Sequence, residues 1–252
     1  MAVLVSALRL SVCLRLSILR RVCTLTPLVT VMAKRRDFVV EILERKSRHP
    51  KRTDRWLQFM KRGESLLFAL HHVGRKAPKK HSCQPELLRY FPIGIVAASE
   101  GYFRLVYRDL INFGDPYVRN AAQFKDLSLG HEAICAIHER QTSVGEIIAH
   151  QLSHNSLGDI TRNMNALTGT DFKAGVEEEL ARQAHREGDG TMELSWVSQF
   201  VVRTFELRHI FCHELATSYP VSIAEIDSCF RATFAFLFCS EVYVQKLLER
   251  AN

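Results

Sequence analysis

Glu206-Leu207-Arg208-His209-Ile210-Phe211-Cys212-His213-Glu214 is the stretch from which the fold can be predicted. It lies in a segment whose apolar residues recur with helical spacing, from about Thr191 to Ser218. An arginine and two histidines within six residues are unusual on a helix whose other turns are apolar, because burying such groups is costly unless they are paired or used. The stretch therefore predicts a core helix that also carries a functional site.

Helical geometry places the three polar side chains of this stretch close together. His209 and His213 are four residues apart and share one face of the helix, and the long side chain of Arg208 can reach the same space. A guanidinium binds phosphate oxygens in a bidentate manner, and an imidazole can give or take a proton near neutral pH. The spacing predicts a site for one anion, with groups suited to proton transfer beside it.

The residues of this site resemble a known motif. Arg208, the polar His209 directly after it, and His213 after four intervening positions are similar to the arginine-to-histidine motif of HEPN-domain proteins, and most similar to the RiboL-PSP branch. Two further segments support the resemblance: residues 95–103, which contain Glu100, and residues 147–157, which resemble middle helices of some HEPN proteins. The resemblance covers roughly residues 90 to 250.

The resemblance implies an activity and roles for single residues. HEPN proteins are compact helical bundles, and many are metal-independent RNases that act as toxins or anti-phage effectors. It implies a homodimeric endoribonuclease that cleaves single-stranded RNA without metal or cofactor and is restrained by an antitoxin or another regulatory protein. Arg208 would stabilise the phosphorane, His213 would transfer a proton, and His209 would position the phosphate or its partner histidine. Glu100 would orient Arg208 or a motif histidine.

Two alternatives to these roles stay open. Glu100 has Arg104 one turn away on its own helix, and the two could form a structural salt bridge. The chain could also be a non-catalytic HEPN-like module that binds nucleotides or proteins and uses the motif helix only as a dimer interface.

The remaining chain predicts an all-α protein, because no strand-like alternation is visible. The predicted fold is an antiparallel four-helix-type HEPN bundle with additional N-terminal helices. Its core would consist of a helix at 93–113 opened by Pro92, the motif helix, and a C-terminal helix that follows Ser222 and ends near Arg250. The other predicted helices lie at 37–48, 53–73, 117–139, 144–152, 156–167 and 171–187.

Charge divides the chain unevenly. Residues 1–80 hold 19 Lys and Arg against 5 Asp and Glu, whereas the whole chain has a formal net charge of +7. We therefore expect a basic helical arm and linker at 32–85 before a HEPN-like bundle at 86–252. A basic arm attracts polyanions such as RNA. The candidate RNA contacts are Lys51, Arg52, Arg55, Lys61 and Arg62, although a solvated charge run or a structural strut would give the same pattern.

Residues 1–31 predict a disordered extension. Arginines interrupt its apolar run too often for a membrane span, so it resembles a mitochondrial presequence or an upstream extension before a true start at Met32. Seven cysteines without a CxxC pair indicate reduced thiols and a cytoplasmic protein, or a mitochondrial matrix protein if the presequence is genuine. His150 and His154 have metal-ligand spacing, but no further cluster completes a site, so no metal is expected.

Overall fold

The computed structural model describes residues 37–48, 54–76, 83–124, 127, 129–187, 193–214 and 219–251. Ten α-helices and one short 3-10 helix lie in these ranges, and no strand does. The all-α prediction is therefore confirmed for the part of the chain that is described. The helices are α1 (Phe38–Arg48), α2 (Arg55–Lys76), α3 (Cys83–Phe113), α4 (Tyr117–Asn120), α5 (His131–His138), α6 (Val144–Gln151), α7 (Leu157–Thr168), α8 (Phe172–Glu187), α9 (Leu194–His213) and α10 (Ile223–Arg250).

Helix α3 occupies the centre of the molecule. It packs against α2, α6, α9 and α10, and α9 packs along α10. Its side chains Tyr102, Phe103, Tyr107 and Leu110 are almost fully buried. A helix that is apolar on most of its circumference has to lie inside a bundle. The predicted core of three helices, one of them carrying the motif, is therefore present.

Helix α2 belongs to the same body as the bundle. Residues 37–252 form one compact unit, and Phe59 of α2 lies in the main core with Trp56 packed against it. Within the basic arm and linker expected at 32–85, the described helix α2 thus packs as a layer of the bundle, in agreement with the alternative of a structural strut. The expectations for residues 1–31 and for a start at Met32 lie outside the described ranges.

Local sequence signals explain several helix ends. Ser143 and Glu146 form a reciprocal capping box at the start of α6, and Ser222 accepts a hydrogen bond from the backbone N–H of Glu225 at the start of α10. Gly169 ends α7 with a φ of 67°, a left-handed conformation that glycine adopts without steric cost. The helices expected at 144–152, at 156–167 and after Ser222 have these three boundaries to within one residue.

Three helix boundaries differ from the prediction. Pro92 lies inside α3, which begins about nine residues earlier, and the burial of Leu88 and Phe91 offsets the backbone hydrogen bond that a proline removes. The single helix expected at 117–139 is divided, because Phe124 leaves the helical conformation and packs against the main core. The motif helix ends at His213 rather than at Ser218.

No helix in the described ranges is long and apolar enough to cross a membrane.

Candidate active site

The motif lies in the last two turns of α9. The buried side of this helix carries Val197, Val201, Thr204 and Leu207, which hold it against the core. The opposite side carries an exposed stripe, formed by Val202, Glu206, His209 and His213. Helical geometry thus buries one side of α9 and leaves the histidines in contact with solvent.

The two motif histidines form a pair on this surface. Their ring centroids are 5.1 Å apart and their ring planes meet at 48°. Both residues are exposed, so neither is a histidine of a buried core network. An exposed imidazole keeps its nitrogens accessible to a substrate, which proton transfer requires.

Arg208 is held from the neighbouring central helix. Its guanidinium lies 3.5 Å from a carboxylate oxygen of Glu100 on α3, and the two side chains are 25% and 20% exposed. Burial raises the pKa of Glu100 above its ordinary value, while the charges of Arg208 and then Arg104 oppose that rise. The expected contact between Glu100 and Arg208 is therefore present, although its role in orienting the arginine stays a prediction.

Arg104, the alternative partner of Glu100, makes different hydrogen bonds. Its guanidinium lies 3.0 and 3.2 Å from Nε2 of His154, a residue that is 4% exposed. Because Nε2 accepts these bonds, His154 carries its proton on Nδ1. Burial and the charge of Arg104 lower the pKa of His154 to about 4, so this histidine is neutral at physiological pH.

The histidine pair with metal-ligand spacing does not act as one unit. Nε2 of His150 lies 2.7 Å from a carboxylate oxygen of Glu41 on α1, whereas His154 contacts Arg104. Within the described ranges, no group of three or more His, Cys, Asp or Glu is arranged to hold a metal ion. The Nε2 atoms of the two histidines thus contact separate partners.

The candidate RNA contacts separate into three groups. Lys61 and Arg62 are exposed on α2, as an RNA-binding face requires. Lys51 and Arg52 lie outside the described residues. Arg55 departs from the prediction, because it is only 8% exposed and donates to Glu241 on α10 and to Asp109 on α3. Its guanidinium is occupied inside the bundle and does not belong to an RNA-binding surface.

Arg55 is the centre of a buried polar network that sequence reasoning missed. Two of its nitrogens lie 2.8 and 2.9 Å from the two carboxylate oxygens of Glu241, and Tyr102 donates to the same carboxylate at 2.8 Å. Burial alone would lower the pKa of Arg55, but the hydrogen bonds to Glu241 and Asp109 outweigh it and raise the pKa. The one available signal was Glu241 itself, the single charged residue between positions 232 and 244 of the C-terminal helix.

Neither of two large clefts is lined by the motif residues. One, of about 940 Å³, lies between α1, α2, α3 and the segment 140–146. The other, of about 980 Å³, lies between α9 and α10, and Arg203, Glu206 and Glu225 are among its lining residues. In a single protomer the motif is thus an exposed surface beside these clefts.

In comparisons with known proteins, no family model matches the chain, and neither a curated protein nor a solved structure matches it.

Proposed function

We propose that this protein is a metal-independent endoribonuclease that cleaves single-stranded RNA, with Arg208, His209 and His213 as its catalytic residues. The observation that carries the proposal is the joint geometry of the three residues. Two exposed imidazoles lie 5.1 Å apart, and beside them in sequence is an arginine held at 3.5 Å by a partly buried carboxylate. A scissile phosphate needs a fixed positive charge and a proton donor or acceptor, and this surface supplies both.

The reaction would begin with attack of the ribose 2′-oxygen on the adjacent phosphorus. The new bond joins O2′ to phosphorus and the bond from phosphorus to O5′ breaks, which leaves a 2′,3′-cyclic phosphate and a 5′-hydroxyl. One imidazole takes the proton of the 2′-hydroxyl, and a second imidazolium protonates the departing O5′. His213 performs one of these transfers, Arg208 stabilises the phosphorane, and His209 positions the phosphate.

A homodimer supports this chemistry better than a single protomer. The two motif histidines face solvent, and the motif residues line neither large cleft, so one copy does not surround a bound phosphate with these two clefts. If two α9 helices meet at a two-fold axis along the exposed stripe, two arginines and four histidines surround one phosphate. An HEPN-type four-helix bundle would present its motif helix in this way. Such an RNase would be a toxin or anti-phage effector, restrained by an antitoxin or another regulatory protein.

The test is cleavage of an end-labelled single-stranded RNA by the full chain in EDTA. His213→Ala should reduce the rate by roughly 10² to 10⁴ if His213 transfers a proton. Arg208→Ala should also reduce it. The matched control is His138→Ala, because His138 is likewise exposed and is the last residue of its helix, α5. This control should cleave like the native protein.

Two further readouts decide the outcome. The native products should end in a 2′,3′-cyclic phosphate, and the melting temperature of His213→Ala should match that of the native protein because the side chain is exposed. Cleavage that persists in both motif variants would assign the activity to other residues and contradict the proposal. Absence of cleavage by the native protein would also contradict it, and would favour a module that uses its exposed motif stripe only to bind a second copy or a partner protein.

A further inference from the structure

A strongly basic cleft lies on the other side of α3 from the core of the bundle. It encloses about 940 Å³ and is lined by Arg45, Lys46, Arg62, Arg104, Arg108 and Arg140, together with the buried Arg55. These residues come from α1, α2, α3 and the turn after α5. We call it the basic cleft. Its volume falls in the range of small-molecule sites, roughly 300 to 1,000 Å³.

The charges of the basic cleft are not balanced by nearby carboxylates. Lys46 pairs with Glu146 at 2.7 Å, Arg55 pairs with Glu241 and Asp109, and Arg108 pairs with Asp109. Glu100, next to Arg104, pairs with Arg208. Three of the seven cations that line the cleft are thus paired with the carboxylates Glu146, Asp109 and Glu241.

Three of the cations have no ion-pair partner among the described residues: Arg45, Arg62 and Arg140. Arg45 is partly buried, and burial together with the nearby Arg108 lowers its pKa, although Glu146 opposes them. A partly buried cation beside another cation is unfavourable unless an anion offsets the repulsion. Arg45 and Arg108 nevertheless lie together in the cleft, where a bound anion would offset their repulsion.

Arg140 adds an independent observation about the backbone. It has a φ of 58°, and it is the one non-glycine residue in the described ranges with a positive φ. Glycine is the usual residue at this position after a helix, because a side chain is strained there. An arginine is thus held in a strained conformation at the mouth of a cationic cleft, and such strain is typical of functional sites.

The cleft also offers an apolar surface. Phe59, Ala97, Ala98, Gly101 and Leu105 lie among the arginines. A methyl group placed on Gly101 would have no heavy atom within 4 Å, so the cleft is open above this residue. An apolar strip between guanidinium groups suits a compact organic scaffold that carries phosphates, since each guanidinium can bind a phosphate in a bidentate manner.

We propose that the basic cleft binds a compact small molecule carrying several phosphate groups, with Arg45, Arg62 and Arg140 as its phosphate ligands. This inference goes beyond the proposed RNase and does not depend on it, because the motif residues do not line the cleft. Small polyphosphates fit better than an RNA strand, since the cations converge from four elements on one compact cleft. An RNA backbone would instead need a groove that follows its length.

The test is isothermal titration calorimetry of the full chain with inorganic tripolyphosphate, ATP and inositol hexakisphosphate at 0.15 M salt. We expect saturable 1:1 binding of at least one of the three. Equal affinities would show that phosphate alone is recognised, tighter binding of ATP would assign a role to the base, and tighter binding of the hexakisphosphate would indicate a compact ring. All three results support the proposal.

Four variants locate the binding. Arg45→Gln and Arg140→Gly should each weaken it about tenfold or more, because one charge-assisted bidentate contact contributes on this scale. Arg140→Gly should keep or raise the melting temperature, since it also removes the strained side chain. Gly101→Leu should weaken binding while every charge is retained. Arg250→Gln is the matched control, because Arg250 is exposed and does not line the cleft.

Several results would overturn the proposal. One is the absence of saturable binding of all three probes up to 1 mM, and another is equal weakening by Arg250→Gln, which would mean non-specific attraction. Unchanged affinity in Gly101→Leu would place the ligand elsewhere. A single-stranded RNA that binds more tightly than all three probes and is weakened by the same variants would assign the cleft to RNA. The variant His213→Ala should bind the probes like the native chain, whatever its cleavage activity.

Discussion

Arginines of this protein differ in their surroundings: some pair with carboxylates inside the bundle, and others are exposed at its surface. Arg55 and Arg62 both lie on α2 and both belong to the basic N-terminal third. Arg55 is buried against Glu241 and Asp109, whereas Arg62 is exposed and lines the basic cleft. The same residue type thus stabilises the fold at one position and is available to a ligand two turns later.

This difference leads to a prediction for Arg55. Arg55→Ala leaves the buried carboxylate of Glu241 without its bidentate partner, so it should lower the free energy of unfolding by about 3 to 5 kcal/mol. Arg62→Ala, the matched exposed change on the same helix, should alter stability by less than about 0.5 kcal/mol. Urea unfolding of the two variants checks both values. A similar small loss in both would mean that the network around Glu241 contributes little to stability.

His154 predicts how stability changes with pH. The pKa of this buried histidine is about 4, well below its ordinary value of 6.5, chiefly because of burial. Between these two values the unfolded chain binds a proton that the folded protein does not, so stability falls as pH decreases. The loss should be about 1.4 kcal/mol for each pH unit from this group. Urea unfolding between pH 4.5 and 7 measures the slope.

A pair of substitutions isolates the contribution of His154. His154→Gln keeps an oxygen that can accept from Arg104 but cannot titrate, so its stability should depend less on pH over this interval. His131→Gln is the control, because His131 is exposed at the start of α5. It should leave the pH slope of the native protein intact. If His154→Gln does so as well, another group causes the acid dependence.

At the scale of elements, the observed helices match the predicted ones where local sequence signals agree with burial. The helix expected at 93–113 is part of the central helix α3, and the helix expected at 144–152 starts at the capping box that begins α6. Predictions failed where tertiary packing outweighs local preference: the burial of Leu88 and Phe91 extends α3 through Pro92, and the packing of Phe124 interrupts the helix expected at 117–139. Spacing placed the histidines of the motif on one face, and the acidic partner of Arg208 followed from the resemblance.

The parts of the site that the sequence did not predict depend on distances between segments far apart in the chain. Arg55 and Glu241 are 186 residues apart, and the basic cleft combines residues from α1, α2 and α3 with Arg140. Periodicity indicates which face of a helix is polar, but it carries no information about which other helix meets that face. The buried Arg55 and the exposed Arg62 therefore looked equivalent before the packing was known.

The contact between α3 and α6 gives a prediction at the scale of elements. A methyl group on Gly145 would lie 2.5 Å from the backbone oxygen of Arg108 and 2.6 Å from Oδ1 of Asn112, which accepts from the Gly145 N–H. Gly145→Ala should force the two helices apart and lower the free energy of unfolding by about 1 to 3 kcal/mol. Thermal or urea unfolding measures the change.

Gly101→Ala is the matched control for this substitution. Gly101 lies in the middle of α3 with open space around the position of a methyl group. Alanine is favoured over glycine in a helix interior, so this variant should be more stable by about 0.5 to 1 kcal/mol. Opposite signs for the two substitutions are the expected result, and a loss of stability at Gly101 would contradict the open cleft beside α3.

The whole molecule is predicted to work as a dimer through the exposed stripe of α9. Val202 is an exposed apolar residue in that stripe, 43% accessible to solvent, on the same face as His209 and His213. At a two-fold axis, Val202→Arg would place two like charges near each other. We expect this variant to be monomeric in sedimentation equilibrium at micromolar concentration and to lose RNA cleavage.

The control for the dimer prediction is Val118→Arg. Val118 is similarly exposed, at 40%, but lies on the short helix α4 away from the stripe. This variant should sediment like the native protein and cleave RNA at the native rate. A native protein that is monomeric yet active would remove the two-fold arrangement and leave the motif of one copy to act alone.

The buried network around Arg55 also fixes the axial alignment of three helices relative to one another. Arg55 on α2, Asp109 on α3 and Glu241 on α10 meet with distances of 2.8 to 2.9 Å. A shift of one helix by a single turn, about 5.4 Å, would leave at least one buried charge unpaired. The axial alignment of α3 determines both where Glu100 meets Arg208 and where Arg104 and Arg108 enter the basic cleft. A network with no motif residue in it thus sets the alignment of both surfaces, and a repacked, charge-free version that folds stably is still expected to misplace them.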